Sequence, residues 1–396
     1  MNRKAITRTV VVPVLLAASA LTAGAGLTEG VEVFGYFEPQ LAAAVLDGEL
    51  VQAASNKLRF DLEAAPSDRI TFGANVNFIA YHGRTAYRLA DYLSDPVAAQ
   101  LPPGTRDLYV LEFEDDYSLD NAFLEIAFDR FDLTVGKQQI SPGTGYAWNP
   151  TDMFNRKDML DPTYENPGHS AVAVDVPLGA RGTALVLYAP EETFERSGKF
   201  ARVKLHAGHF DVSLVGGERF VPLTDYLSGV ASVERRRMAG GDFSGQLLDV
   251  GVWGEITYND MATSDDFAEL LVGVDHTLRS GLYLLGEFYV NGRGKCDDRD
   301  YDLNDWMRFL TAETVTVTRG QCYLHASYPA TDLLTAGASA IASLCDGSFV
   351  LVPSLEYNAL TDLDITVLGN LYAGGDGTAF SSSLGTGVLL RLCYYF

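Results

Sequence analysis

In several segments of the chain the charged residues fall at every second position. Lys57, Arg59 and Asp61 alternate with Leu58, Phe60 and Leu62. Glu125 and Asp129 stand against Leu124, Ile126 and Phe128, and Arg202, Lys204 and His206 against Val203 and Leu205. Asp249 and Glu255 oppose Val250, Val252, Ile256 and Tyr258, with Glu287 and Arg391 in similar settings. A period of two puts one set on each face of a β-strand. Opposed basic and acidic rows facing water set a transverse field and tune ion preference in a constriction. The same charges can also pair across neighbouring strands. Arg202 with Lys204 is the one cluster that reads as locally one-signed.

Catalytic constellations are sparse. His169-Ser170 in NPGHSA and His82 are candidates for a hydrolase. Neither lies in a Gly-x-Ser-x-Gly setting, and a triad is a matter of geometry. His206 and His209 flank a short turn. Asp298-x-Asp300-x-Asp302 offers oxygen ligands at alternate positions, a weak calcium candidate. It lacks the Gly at the sixth position and the Glu at the twelfth, so a solvated acidic loop is expected, with no metal and no cofactor. Cys296, Cys322, Cys345 and Cys393 all lie in the last quarter and match no zinc spacing. Four cysteines allow three pairings, and sequence does not choose among them. Cys393 is expected to face the lumen.

The elements that position these residues are alternating segments separated by turn signals, from Gly30 onward. Ile70, Phe72, Ala74, Val76 and Phe78 oppose Asn75 and Asn77. Short connections are expected at Asp129-Arg130, Gly208-His209, Arg279-Ser280-Gly281, Ala330-Thr331 and Leu360-Thr361. Long ones are expected at Tyr81–Arg106, Ser141–Gly168, Arg219–Gly245 and Asn291–Gly320. A mean hydropathy of +0.04 is what alternation averages to. Such a chain crosses a bilayer as a closed barrel. Nine strands are counted from the N-terminus to Arg219 and eight from Leu247 to Phe396. An even number is required, so a further strand is expected in Gly229–Met238. The expectation is an all-β, antiparallel, up-and-down transmembrane barrel of 16–18 strands in one domain, 26–396, with short periplasmic turns and long extracellular loops.

Arg3, Lys4 and Arg8, the apolar run Val10–Leu21 and Ala23-Gly24-Ala25 have the layout of a secretory signal peptide over 1–25. No Cys follows that would carry a lipid anchor. A net charge of −23 argues against nucleic acid as a partner. Tyr 20 and Phe 21 against Trp 3 suit aromatic girdles.

The closing residues GVLLRLCYYF place Val388, Leu390, Leu392, Tyr394 and Phe396 on one face and end on the aromatic. This resembles the closing strand of bacterial outer-membrane barrels. The resemblance implies that Tyr394 and Phe396 are read by the barrel-assembly machinery, and that the protein lies in the outer membrane against lipid and lipopolysaccharide. Val135–Phe154, VGKQQISPGTGYAWNPTDMF, resembles a segment of a large, mostly uncharacterised porin-like family. The matching residues are Gly136, Lys137, Gln138, Gly143, Gly145, Asn149, Pro150, Asp152 and Phe154. Pro142-Gly143 stands where that family has an aromatic-Gly pair. The resemblance implies an inward-folded loop that narrows the pore.

The function expected is passive diffusion of small hydrophilic or amphipathic solutes through a lumen narrowed by residues 141–168, without catalysis. Lys57, Arg59, Asp61, Glu125, Arg202, Lys204, Glu255, Tyr146, Trp148 and Asp152 are the candidates to line it. A homotrimer is possible for this class. A closed barrel serving in surface binding or adhesion, and an outer-membrane hydrolase, are the alternatives.

Overall fold

The computed structural model describes residues 30–46 and 48–396. The proposed leader, 1–25, lies outside the described residues. Strands, in chain order, are β1 Val31–Leu46, β2 Glu49–Ser67, β3 Ile70–Gly83, β4 Ala86–Arg88, β5 Val110–Glu112, β6 Asp116–Ala127, β7 Asp132–Gln138, β8 His169–Pro177, β9 Gly182–Ala189 and β10 Gly198–Ala207. They continue with β11 Phe210–Asp225, β12 Val230–Leu247, β13 Val250–Met261, β14 Phe267–Thr277, β15 Tyr283–Asn291, β16 Gly320–Pro329, β17 Leu334–Ser343, β18 Phe349–Leu360, β19 Leu363–Ala373 and β20 Thr386–Tyr395. Eighteen of these form one antiparallel sheet of sequential neighbours, and β4 with β5 makes a separate ribbon. β20 pairs with β1, from Tyr36 opposite Tyr395 to Val45 opposite Thr386, and closes the sheet into a barrel. Closure leaves no unpaired strand edge, the condition for a sheet in hydrocarbon.

The alternation in sequence is the alternation of faces. In β14, Phe267, Glu269 and Leu271 are buried, while Leu270, Val272 and Val274 are exposed outward. β12 is the strand expected near 229–238, and it is longer than that window. The long connection expected at Arg219–Gly245 does not exist. β11 and β12 run on through it and meet in a tight turn between Asp225 and Val230. Arg219, Arg235, Arg236 and Arg237 read as loop by charge, yet they belong to strands and find carboxylate or carbonyl partners there. Leu248, expected in a strand, sits in the next turn at φ 57.

The connections divide between two rims. One carries the short turns, such as Ala207–Phe210, Leu247–Val250 and Leu360–Leu363, together with both strand termini, Val31 and Tyr395. The other carries the long segments between β3 and β6, β7 and β8, and β15 and β16. The last of these holds a helix, Leu303–Leu310, whose Leu303, Trp306 and Met307 lie on one face and are buried. Its start is capped reciprocally by Asp302 and Asp305. A disulfide, Cys296–Cys345, ties this segment to the β17–β18 loop. Cys322 and Cys393 are free, and Cys393 is buried on the inward face beside Arg391.

At the seam, backbone bonds join Gly35 and Phe396 in both directions at 3.1 and 3.0 Å. The Phe396 ring packs edge-on to Phe60, centroids 5.8 Å apart. Gly35 permits this, because a Cβ there would stand 2.1 Å from the Arg59 carbonyl oxygen and 3.1 Å from the Phe396 ring. Gly35→Val should therefore lower the fraction of refolded barrel, read by heat-dependent mobility in gels, well below that of Val33→Ala on the same strand.

Candidate functional site

The site is the lumen, and the segment between β7 and β8 decides its shape. Its start is set by local chemistry. Gly143 has φ +100, and a Cβ there would overlap the Asn149 side chain, which donates to the Pro142 carbonyl at 2.7 Å. Gly145 is required for close approach rather than for a left-handed φ, since a Cβ would lie 1.8 Å from the Trp148 carbonyl oxygen. The result is a compact turn whose backbone N–H groups point outward to the barrel wall.

Two wall carboxylates receive them. Glu255 of β13 accepts the N–H groups of Thr144, Gly145 and Thr151 at 2.5, 2.7 and 2.8 Å, and the Thr151 hydroxyl at 2.9 Å. Glu287 of β15 accepts those of Tyr146 and Ala147 at 2.5 and 2.7 Å, and Trp253 Nε1 at 2.6 Å. Hydrogen bonds to a carboxylate are stronger than neutral ones, and an orphaned buried donor costs ~1–3 kcal/mol. Lys157 holds the turn from behind through the carbonyls of Gly145 and Tyr146. Asp152 lies within the segment, accepting from the N–H groups of Phe154 and Asn155. Its burial outweighs those bonds and pushes its pKa up to about 6.

The segment then crosses the lumen. Phe154 packs edge-on to Phe200, and Arg219 donates to the Met153 carbonyl. On the far side Asp161 meets Arg391 at 2.8 Å, and Tyr164 donates to Glu38 at 2.8 Å. Glu165 meets Lys57 at 2.7 Å and Arg59 at 3.0 Å, and accepts from Tyr36 at 2.9 Å. Burial raises the Glu165 carboxyl, but Lys57, Arg59 and Tyr36 together hold it below its ordinary value.

These contacts reassign several residues expected to line a pore. Trp148 is 2% exposed and stacks on Tyr289 at 5.1 Å. Tyr146 packs on Tyr323. With Leu271, Trp306 and Met307 they build an apolar core inside the barrel. Glu255 and Asp152 are buried anchors of the loop rather than wetted wall. Burial of the aromatic turn drove this, because its rings find wall aromatics instead of water. Lys57, Arg59 and Asp61 converge, with Arg59 bridging Asp61 at 2.7 Å. Arg202 and Lys204 stand elsewhere and are not one-signed: Asp242 meets Arg202 at 2.9 Å and Asp211 meets Lys204 at 2.8 Å. Glu125 faces inward opposite Thr71 and Thr134, away from the loop.

The other chemistry does not assemble. His169 meets Asn155 at 2.8 Å and the Phe154 ring rather than a carboxylate. His82 lies at the long-loop rim, and His206 pairs with Asp211 on the short-turn rim. Asp302 is engaged as a helix cap and with Lys295 at 2.9 Å, while Asp298 and Asp300 lie in a helical turn. Among the described residues no three His, Cys, Asp or Glu side chains are grouped so as to share a metal ion. Sequence reasoning missed Glu38, Asp161, Tyr164 and Glu165. The charged second half of the loop, NRKDMLDPTYENPG, was the available signal.

A cavity of about 460 Å³ lies between the loop's Asp158–Tyr164 stretch and the inward wall of β1–β3 and β18–β20, and another of about 490 Å³ lies beside Phe154, His169 and Arg219. A third, of about 420 Å³, lies above the first at the long-loop rim, beneath the β4–β5 ribbon. The first and third are adjacent and share Gln40, Ser55, Tyr81, Phe113 and Leu389 in their linings.

No family model matches this sequence. No curated protein matches it either. Solved structures do match the fold. OccAB4 of Acinetobacter baumannii superposes with a TM-score of 0.55 at 10% identity, covering 93% of this chain and 99% of that one. OccK11 (OpdR) of Pseudomonas aeruginosa gives 0.54 at 12% identity, covering 94% and 98%. The likeness is one of fold, a closed antiparallel barrel that here has 18 strands.

Replacing both anchors, Glu255→Ala with Glu287→Ala, orphans five backbone donors of the loop. The double variant should expose residues 141–168 to limited proteolysis that leaves the parent barrel uncut. The Glu165 pairing should behave as a depressed carboxylate. Its contribution is present above the unfolded value near 4.5 and lost as pH falls through the lower folded value. Protease resistance of the loop should hold from pH 7 to 5 and fail only in stronger acid.

Proposed function

We propose that this chain is an outer-membrane channel for passive diffusion of small solutes. The observation that carries the reading is the inward loop, anchored on both sides of the lumen, with open space left between it and the β1–β3 and β18–β20 wall. A loop held this way sets the cross-section of a pore, and the charged groups at its edge set preference. In this reading the short-turn rim is periplasmic and the long-loop rim extracellular, as in bacterial barrels generally. The terminal aromatic serves assembly, lipid and lipopolysaccharide contact the outer wall, and a homotrimer is compatible with the fold.

Around this space, Lys57, Arg59 and Arg391 face Glu38, Asp61, Asp158, Asp161 and Glu165. The acidic groups outnumber the basic ones, which gives a modest cation preference. The lumen is filled on the β13–β16 side by the Trp148–Trp306 core. That filling favours, as the second reading, a closed barrel that binds ligands through its outer loops.

Purified barrel in a planar bilayer should show stable conductance steps in KCl, with a reversal potential under a salt gradient that favours K⁺. Glu165→Gln should shift that potential toward Cl⁻. A folded barrel that stays silent would replace the channel with the surface-binding reading.

A further inference from the structure

The two adjacent cavities against the β1–β3 wall form compartments of different chemistry, and this division specifies a guest. The upper compartment is lined mainly by rings and aliphatic groups, including Tyr81, Tyr87, Leu111, Phe113 and Leu389. Phe113 stands 5.4 Å from Tyr81 and 6.0 Å from Tyr87, ring to ring. Arg84 covers the outer face of Tyr87 at 5.0 Å. A route for ions or sugars alone gains nothing from an apolar mouth, whereas an apolar body is drawn out of water by one.

The lower compartment is polar. Its cations are already matched, Lys57 by Glu165 at 2.7 Å and Arg391 by Asp161 at 2.8 Å. Glu38 and Asp158 add further acid to the lining. A carboxylate guest would meet saturated cations and repelling neighbours. A cationic guest would have to compete with Lys57 and Arg391 for the same carboxylates and lose its own hydration. One buried polar atom on this wall lacks a partner. Asn77, 7% exposed, has an acceptor at Oδ1 with no hydrogen bond, whereas Arg391 Nε faces Glu38 at 3.9 Å. Buried polar groups are ordinarily satisfied, so Asn77 marks a position where a ligand or water belongs. A hydroxyl donates, and answers that acceptor without bringing charge into the compartment.

We infer that the lower compartment is a recognition site for the uncharged hydroxyl head of an amphipathic solute, whose aromatic or aliphatic body rests in the ring-lined mouth. The inference rests on reading this lumen as the path of solute passage. Each compartment is within the size of small-molecule sites, ~300–1,000 Å³. The apolar mouth gathers the body, and the polar floor selects the head by hydrogen bonding rather than by charge.

The test is calorimetric titration of the barrel in lipid nanodiscs, which avoids detergent competing for the mouth. The probes are 4-hydroxybenzyl alcohol, benzoate, benzylamine and glucose. The alcohol should bind, with benzoate, benzylamine and glucose each weaker by ~10-fold or more, the scale of one lost buried hydrogen bond or more. Asn77→Leu should weaken the alcohol by ~10-fold. Phe113→Ser, on an exposed loop position, should weaken it also, and covers the case in which the Asn77 variant fails to refold. Equal or tighter binding of benzoate or benzylamine, or binding unchanged in both variants, overturns the inference, as does no binding at all. Binding without conductance would sink the channel reading and leave the recognition site standing. Conductance without binding would do the reverse.

Discussion

Backbone amides at the tip of an inward loop cannot be left without partners inside a barrel, and Glu255 and Glu287 are where they go. Five loop N–H groups end on these two carboxylates. Buried carboxylates are expensive unless fully bonded, and a tight turn full of unpaired donors is expensive in the same way. Each cost is offset by the other. Without the turn, two acidic groups would sit under an apolar core. Without the carboxylates, residues 144–151 would have to seek water and leave the lumen. The loop's path, the aromatic packing behind it and the cavity left against the opposite wall all follow from that mutual requirement.

The lumen is consequently asymmetric. On the β13–β16 side, Trp148, Tyr289 and Tyr323 stack into a core continued upward by Leu303, Trp306 and Met307 of the short helix. The helix belongs to a segment fastened by Cys296–Cys345, so the filled half is held from both the loop and the rim. On the β1–β3 and β18–β20 side the loop touches the wall through ion pairs and tyrosines instead. Charged contacts of this kind keep the chain near the wall while leaving hydrated space beside it. One side of the loop therefore acts as a packed abutment and the other as a wetted edge.

The barrel was legible because its signal is repeated in nearly every strand. Alternation such as Leu270, Val272 and Val274 against Glu269 and Leu271 needs only period two, and parity exposed the strand missing from the count. That strand, β12, was obscured because Glu234-Arg235-Arg236-Arg237 reads as solvent-loving. Its inward Arg236 is paired with Asn259 and Glu269, and its outward Arg237 with Glu218, so charge within a strand is tolerated on both faces. The interior was less legible for a different reason. Periodicity assigns a residue to a face and says nothing about what arrives from a loop. Glu255 and Lys57 carry the same signal in sequence, yet one becomes a dry anchor and the other borders open space.

That distinction bears on how wall charge should be read in any barrel with a folded-in loop. A count of inward Lys, Arg, Asp and Glu treats every group as available to a passing solute. Here Lys57 and Arg59 share Glu165, Arg391 takes Asp161, Arg202 takes Asp242, and Glu255 and Glu287 are spent on backbone. The loop has brought acid to the basic wall and donors to the acidic wall. The field left for a solute is a small residue of large, nearly cancelling contributions, so specificity shifts from net charge to shape and to the few polar atoms still without a partner. Asn77 Oδ1 is such an atom, and its residue lines the cavity between the loop and the β1–β3 wall.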